Sequence, residues 1–291
     1  KEAMRALVDP RAPDSHKGDY GRVLIAAGSR GKTGAAYLAA DAAMRSGAGL
    51  VTVATPASCL PIVAALGPEY VTEPCEETTD GTLAFEALER MLETPTDVLA
   101  IGPGLGRHPS TAALVHALVE RSGVPLVLDA DALNCFVGDP DRLIGREGTD
   151  IVITPHPGEM ARLIGKSIED VQARRLDIAM EFATTHHVYV VLKGHRTIVA
   201  TPDGRAFVNL TGNPGMATGG AGDVLTGMIA GWFGQLLDAE AACKLAVYLH
   251  GLAGDLAEAD EGEVSMTASD IISRIGDAVI ELTARKKRPT A

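Results

Sequence analysis

The sequence lacks the long apolar runs, the cysteine clusters and the basic excess that mark several large classes of protein. Its apolar runs are interrupted by glycine or charge well before the ~18 residues that a membrane-spanning helix requires, and residues 1–11 contain no apolar core of signal-peptide length. The four cysteines, at positions 59, 75, 135 and 243, form no CxxC pair and no compact disulfide framework. These absences predict a soluble, unexported protein of the reducing cytoplasm, without a membrane partner.

Positive charge is also scarce. The chain has 26 Lys and Arg against 38 Asp and Glu, a net charge of −12, which makes nucleic acid an unfavourable partner. Because the overall charge repels anions, an anionic ligand would have to be bound by local groups, such as main-chain amides and helix N-termini. The 291 residues are 46% hydrophobic and 22% charged, enough to bury an extensive core.

Short β-branched runs alternate with Ala-rich segments of helical periodicity, as in βα units around a parallel sheet. The predicted strands are residues 22–27, 50–54, 98–101, 126–128, 151–154 and 188–193. The predicted helices are residues 34–45, 85–92, 111–121, 169–186, 224–237, 239–257 and 269–284. A turn at residues 201–204 predicts an antiparallel hairpin of residues 197–200 and 205–209. We expect an α/β fold with a mostly parallel central sheet, flanked by helices, and this hairpin at its edge.

No linker or internal repeat divides the chain, so residues 1–291 are predicted to form a single domain, with residues 285–291 as a frayed tail. Ligands of open parallel sheets bind beyond the carboxyl ends of the strands, so the segments that follow the strands are the candidate functional loops.

The richest of the candidate segments is glycine-rich and leads into an apolar helix at Asp223. Two interpretations of Asp223 follow. It is either an ordinary helix N-cap or a general base beside an anion hole made by the main chain of Gly220, Ala221 and Gly222. We favour the base, because a cap does not require the preceding glycines, which cost stability unless the backbone uses them.

Other segments are weaker signals. Gly31-Lys32-Thr33 misses a P-loop by one position, since Ala26 stands where that motif has glycine, although Asp129 after a strand would fit a Walker B carboxylate. His156 and Glu159 lie in a loop whose backbone two prolines restrict, and both could bind a ligand. Otherwise, His156 is a loop histidine with its hydrogen bonds satisfied, and Glu159 is a carboxylate in the first turn of a helix, where a negative charge is favourable. The segment from Lys193 to Thr197 is either a phosphate site or a solvated turn.

Taken together, the motifs resemble the NAD(P)HX dehydratase family of the ribokinase-like superfamily. The resemblance rests on these residues: Ser15-His16-Lys17-Gly18, Tyr20-Gly21, Ala27-Gly28-Ser29, Thr33-Gly34-Ala35-Ala36, Arg45-Ser46-Gly47-Ala48-Gly49, Gly102-Pro103-Gly104-Leu105-Gly106, Thr154-Pro155-His156-Pro157-Gly158-Glu159, Val191-Leu192-Lys193-Gly194 and Gly215 to Gly227. The sugar kinases of the superfamily are less similar, since His156 stands where they have Asn.

The resemblance implies a ribokinase-like three-layer sandwich that repairs hydrated NADH or NADPH, with ADP or ATP driving the loss of water. Asp223 would activate the C6 hydroxyl of the substrate. The NAD(P)HX-binding residues would be Ala36, Gly104, His156 and Asp223. The residues contacting the adenine nucleotide would be Lys193, Gly194, His195, Arg196, Thr197 and Gly222. Mg²⁺ is expected, with Glu159 as a candidate ligand, directly or through water, and relatives imply a homo-oligomer, commonly a tetramer.

The sequence leaves several alternatives open. A ribokinase-like kinase of a vitamin alcohol would use the same base and anion hole. A P-loop enzyme and a non-enzymatic nucleotide sensor are less favoured, the sensor because it needs no base. The sequence does not decide between ADP and ATP, between NADHX and NADPHX, or whether a fused epimerase domain precedes Lys1.

Overall fold

The computed structural model describes residues 1–284, and within them a nine-stranded sheet forms the centre. The strands are β1 Arg22–Ala26, β2 Leu50–Pro56, β3 Val71–Cys75, β4 Val98–Ile101, β5 Leu126–Leu128, β6 Ile151–Ile153, β7 Tyr189–Leu192, β8 Ile198–Ala200 and β9 Ala206–Val208. Their order is β3-β2-β1-β4-β5-β6-β7-β8-β9. Pairing is parallel from β3 to β7 and antiparallel from β7 to β9, which confirms the predicted mostly parallel sheet and its edge hairpin.

Helices cover both faces of the sheet. They are α1 Glu2–Arg5, α2 Thr33–Arg45, α3 Leu60–Leu66, α4 Leu88–Glu93, α5 Pro109–Arg121, α6 Asp131–Asn134, α7 Pro157–Ile164, α8 Ile168–Ala173, α9 Arg175–His186, α10 Ala221–Leu236, α11 Ala239–Glu261, α12 Ala268–Ser273 and α13 Ile275–Thr283. One core lies between the sheet and the layer of α2 and α10 to α13, and the other between the sheet and the layer of α4 to α9. The result is the expected three-layer sandwich.

The strands are apolar on both faces because each contributes to both cores. In β1, Val23 and Ile25 enter the core shared with α2 and α10, whereas Leu24 and Ala26 enter the opposite core. Side chains on a strand alternate between its faces, so a strand between two helical layers needs a continuous apolar run. This is the pattern by which the sequence identified the buried strands.

The structure differs from the predicted elements at several points. Strand β3 lies at the sheet edge and carries Glu73 and Pro74, so it lacks a continuous apolar run. The segment predicted as a loop around Glu159 instead opens α7, with Pro157 at the first helical position, where a proline needs no amide partner. The predicted helices 169–186 and 269–284 are each interrupted, at Arg174 and Arg274.

Helices α2 and α10 pack closely against each other. A Cβ atom at Gly227 would lie 2.0 Å from the carbonyl oxygen of Ala39, so only glycine lets the two backbones approach this closely. No helix among residues 1–284 is both long and apolar enough to cross a membrane. The predicted frayed tail, residues 285–291, lies outside the described residues.

Candidate active site

The first turn of α10 lies at the carboxyl edge of the sheet and exposes unpaired amides. The N-cap is Gly220, whose φ of +90° favours glycine, and a Cβ atom there would lie 2.4 Å from Leu38 Cδ1. The amides of Gly220, Gly222 and Asp223 donate to no acceptor within residues 1–284, and the Ala221 amide has only a 3.5 Å contact with the Thr218 carbonyl oxygen. These amides, with the positive end of the helix dipole, can bind an anion.

Asp223 does not cap the helix. It occupies the third helical position, after Gly220, Ala221 and Gly222, and no side chain caps α10. The capping interpretation is therefore wrong, and the carboxylate lines a cavity instead.

A buried ion pair stands beside the α10 terminus. Lys193, directly after β7, places Nζ 2.6 Å from Asp129 Oδ1, and the Asp129 side chain is only 2% exposed. The Thr226 hydroxyl donates to Asp129 Oδ2 over 2.9 Å. Glu159 Oε2 lies 3.8 Å from Lys193 Nζ. Lys193 is thus held in place by Asp129, directly after β5, and by Glu159 on α7, and a Cβ atom at Gly222 of α10 would lie 3.3 Å from its Nζ.

This arrangement changes the protonation of the site. Burial and the neighbouring Asp129 carboxylate raise the pKa of Asp223 to about 7, although the Lys193 ammonium opposes the shift. Burial lowers the pKa of Lys193, but the Asp129 and Glu159 carboxylates outweigh it, so the net shift is upward and the ammonium stays charged. A carboxylate with a pKa near neutrality is matched to general base catalysis near neutral pH.

His156 and Glu159 form a capping box at the start of α7. The Gly158 amide donates to His156 Nδ1 over 2.9 Å, and the His156 amide donates to Glu159 Oε2 over 2.8 Å. Because Nδ1 accepts, the neutral ring carries its hydrogen on Nε2. Burial lowers the pKa of His156. The first-turn carboxylate interpretation of Glu159 is confirmed.

Two cavities meet at this end of α10. The first, of about 660 Å³, is lined by all the residues predicted to contact the adenine nucleotide, namely Lys193, Gly194, His195, Arg196, Thr197 and Gly222. The second, of about 570 Å³, is lined by Gly104, His156 and Asp223 of the predicted dinucleotide site. His156 lines both cavities. Gly222 lines the first cavity and Asp223, the next residue, lines the second, so the Asp223 carboxylate lies at the boundary between them.

Of the predicted site residues, Ala36 alone is fully buried. The Cβ atom of Ala36 packs against Gly28, where an added Cβ would lie only 3.2 Å away. Gly34 and Ala35 line the second cavity, but Ala36 does not. Its predicted contact with the dinucleotide stays a prediction.

Sequence reasoning missed most of the polar residues that follow β5. Asp129 was weighed only as a Walker B carboxylate, and its bond to Thr226 depends on the packing of α10 against β5. Asp131, Arg107 and Arg162 line the second cavity and were not predicted. The available signal was position, since Asp129 and Asp131 directly follow a buried strand at the edge where ligands bind.

The described residues do not build a resident metal site. Among residues 1–284, no three His, Cys, Asp or Glu side chains come together as metal ligands. Glu159 Oε2 already accepts from the His156 amide and faces Lys193, and Oε1 lies 3.5 Å from His156 Nε2. Mg²⁺ usually keeps several waters and is held by substrate phosphates with one or two carboxylates, so this geometry does not supply a protein cage for it.

The fold, with a glycine-rich helix terminus and one carboxylate at its mouth, defines a ribokinase-like protein. The model of the family described as NAD(P)H-hydrate dehydratase matches residues 23–276. The chain belongs to this family, which overturns the P-loop alternative.

Individual relatives agree with this assignment. The ADP-dependent (S)-NAD(P)H-hydrate dehydratase of Bacillus subtilis is 36% identical over 280 residues, 94% of this chain and 96% of that protein. The bifunctional NAD(P)H-hydrate repair enzyme of Moorella thermoacetica is 49% identical over 270 residues, which are 92% of this chain and 51% of that protein. The chain therefore spans about half the length of the bifunctional relatives it matches.

A solved structure supports the fold. The ADP/ATP-dependent NAD(P)H-hydrate dehydratase from Bacillus subtilis, co-crystallised with ATP and Mg²⁺, is similar with a TM-score of 0.86 and 33% identity. The match covers 97% of this chain and 96% of that one.

Proposed function

We propose that the protein dehydrates hydrated NADH or NADPH to NADH or NADPH, with ADP or ATP as phosphoryl donor. The observation that carries the proposal is the position of Asp223, a carboxylate with a raised pKa beside unpaired amides, where two cavities meet. The names of the Bacillus and Moorella relatives supply the substrate class.

The two cavities suit two substrates. The adenine nucleotide occupies the first cavity, with its terminal phosphate at Lys193 and the α10 amides. The hydrated dinucleotide occupies the second cavity and presents its C6 hydroxyl to Asp223. This assignment places the acceptor oxygen and the transferring phosphoryl group on either side of one helix terminus.

The reaction has two steps. In the first step, Asp223 accepts the proton of the C6 hydroxyl while the hydroxyl oxygen forms a bond to the terminal phosphorus of the nucleotide. The bond between that phosphorus and its bridging oxygen breaks, which releases AMP from ADP or ADP from ATP. The ring nitrogen then donates its electron pair, the C6–O bond breaks and phosphate leaves. Transfer of a proton from C5 to solvent then restores the C5–C6 double bond of the dihydronicotinamide.

The residues around Asp223 each have a part in the transfer. The amides of Gly220 and Gly222 and the Lys193 ammonium stabilise the phosphoryl oxygens, where charge increases in the transition state. The neutral His156 ring, with hydrogen on Nε2, contacts the dinucleotide at the boundary between the cavities. Mg²⁺ would be held mainly by the nucleotide phosphates, with Glu159 as its candidate protein ligand, directly or through water, and its positive charge would stabilise the phosphoryl oxygens.

A ribokinase-like kinase of a vitamin alcohol is the second candidate. The hydroxyethylthiazole kinase from Pyrococcus horikoshii has a TM-score of 0.59 at 17% identity, a likeness that shows the fold alone. The fold therefore does not favour this candidate over the dehydratase.

Substrate assays test the proposal. Purified protein with Mg²⁺ and ADP or ATP is incubated with hydrated NADH or NADPH, and the absorbance band of the reduced nicotinamide is followed. We expect the band to return. Failure to restore it, together with phosphorylation of a vitamin alcohol, would identify the protein as a kinase instead.

Substitution of the base separates catalysis from binding. Asp223→Asn should bind nucleotide nearly as well as the wild type by calorimetry, while turnover falls by a factor of about 10² to 10⁴. Asp80→Asn, at an exposed position that lines neither cavity, serves as the control. Unchanged turnover in Asp223→Asn removes that carboxylate from catalysis.

We also propose a cytoplasmic location and a homo-oligomer, with a tetramer as the assembly that the family resemblance implies. All four cysteines are unpaired, which is consistent with a reducing compartment. Size-exclusion chromatography with light scattering tests the assembly, and a monomer at micromolar concentration would contradict it.

A further inference from the structure

Three basic side chains from separate parts of the fold converge on the second cavity. Lys32 is the N-cap of α2, Arg107 lies between β4 and α5, and Arg162 belongs to α7. We call them the cation cluster. All three line the cavity that contains Asp223. They stand out because the chain carries a net charge of −12.

The cation cluster is held together by the short helix that follows β5. Lys32 Nζ lies 3.1 Å from Asp131 Oδ2, and Arg107 Nε lies 3.5 Å from Asp131 Oδ1. Arg162 Nε donates to Asn134 Oδ1 over 3.1 Å. The Gly106 amide also donates to Asp131, over 2.9 Å, which fixes the carboxylate. One short segment therefore orients cations from three elements.

The cluster has more positive charge than its own carboxylate neutralises. Asp131 is shared by two of the cations, and Arg162 has no carboxylate partner within residues 1–284. Burial by itself would raise the pKa of Asp131, but the Gly106 amide and the Lys32 ammonium lower it below its ordinary value, so its charge persists. Glu159 and Asp223 also line this cavity, and Glu159 is already paired with Lys193 and His156.

Side-chain exposure leaves these groups available to a ligand. The Lys32 and Arg107 side chains are 52% and 68% exposed, whereas Asp131 is 15% exposed beneath them. Gly34 and Ala35, in the first turn of α2, line the same cavity, so the positive end of that helix faces it as well. A ligand that carries phosphate groups matches this surface, because guanidinium and ammonium groups bind phosphate oxygens with charge-assisted hydrogen bonds.

We propose that the cation cluster of Lys32, Arg107 and Arg162 binds the diphosphate bridge of the hydrated dinucleotide. The inference rests on the proposed function and extends it to particular residues. The bridge is favoured over the 2′-phosphate of NADPHX because it is closer to the nicotinamide ring, which must reach Asp223 in the same cavity. Lys32 thus serves the acceptor substrate and not the nucleotide donor.

Kinetics with both hydrates test the proposal. Lys32→Ala, Arg107→Ala and the double variant are assayed at saturating ADP or ATP with Mg²⁺. We expect KM for NADHX and for NADPHX to rise roughly ten- to hundredfold in the double variant, with nucleotide affinity unchanged by calorimetry. The matched control is Arg30→Ala, in the same loop, with a side chain 62% exposed, 4.0 Å from Glu77 and outside the cavity. It removes one positive charge, as each single variant does, and should leave both KM values unchanged.

Each other outcome overturns the proposal. An increase for NADPHX alone assigns the cluster to the 2′-phosphate. An unchanged KM for both hydrates, or an effect equal to that of Arg30→Ala, removes the cluster from binding. A loss of ADP affinity places Lys32 in the donor site.

Direct binding separates this proposal from the proposed function. The affinities of NADH and NADPH are measured by calorimetry for the wild type and the double variant, without turnover. Weaker binding of both in the double variant supports the cluster even if no hydrate is dehydrated, an outcome that would refute only the dehydratase proposal. Thermal unfolding of all variants checks that the exposed side chains were removed without loss of the fold.

Discussion

The protonation of Asp223 leads to a prediction about stability as well as activity. Its pKa is raised from the ordinary 3.8 to about 7 in the folded chain. At a pH between these two pKa values, the carboxyl group is protonated in the folded chain but ionised in the unfolded chain. The free energy of unfolding therefore decreases as pH rises through this range. Asparagine does not ionise and avoids the loss. Asp223→Asn should therefore be more stable than the wild type above neutral pH.

The size of the effect follows from the difference between the two pKa values. A difference of about three pH units corresponds to about 4 kcal/mol, and partial access of water to the carboxylate reduces it, so we expect a gain of about 2 to 4 kcal/mol above pH 7. Most of the gain should develop between pH 5 and 8. The gain at pH 5 should be smaller by about 2 kcal/mol.

Urea unfolding without nucleotide or Mg²⁺ measures this gain. The single tryptophan, Trp232, is buried on the same helix as Asp223, and its fluorescence is followed beside far-ultraviolet circular dichroism. The two signals must coincide for a two-state treatment. Asp80→Asn, on an exposed loop, should match the wild type at every pH. A gain in Asp223→Asn that does not vary with pH, or a loss at pH 8, would refute the reasoning.

Three further substitutions test the packing that builds the site. Asp129→Asn leaves the Lys193 ammonium without its closest anion, so we expect a loss of about 3 to 5 kcal/mol, and an unchanged melting temperature would contradict the ion pair. Gly227→Ala drives a methyl group into the carbonyl oxygen of Ala39 and should cost about 1 to 3 kcal/mol by urea unfolding, whereas full stability would show that the helices separate easily. Gly276→Ala, in a helix with open space around it, should instead gain about 0.5 to 1 kcal/mol, and destabilisation would argue against its helical placement.

At the carboxyl edge of the sheet, one local sequence signal is confirmed by the structure and another is not. The glycine-rich segment predicted unpaired amides next to Asp223, and α10 places them there because Gly220 adopts a positive φ that other residues avoid. The segment around Glu159 was predicted as a rigid loop, and the structure makes it the first turn of α7. The local sequence predicted the structure correctly at Gly220, where the backbone requires glycine. It predicted it wrongly at Pro157, because proline is compatible with both a loop and the first position of a helix.

The sequence by itself determined the alternation of strands and helices, the hairpin and the family, because buried parallel strands need continuous apolar runs and the glycine motifs depend on local backbone geometry. Only the tertiary structure decided that Asp129 meets Lys193 and Thr226, residues that are 64 and 97 positions away, and that three distant cations share one cavity with Asp223. The reason is physical: local propensity acts over a few residues, whereas the charge environment of a site comes from whichever strand ends and helix termini the packing brings to the same edge.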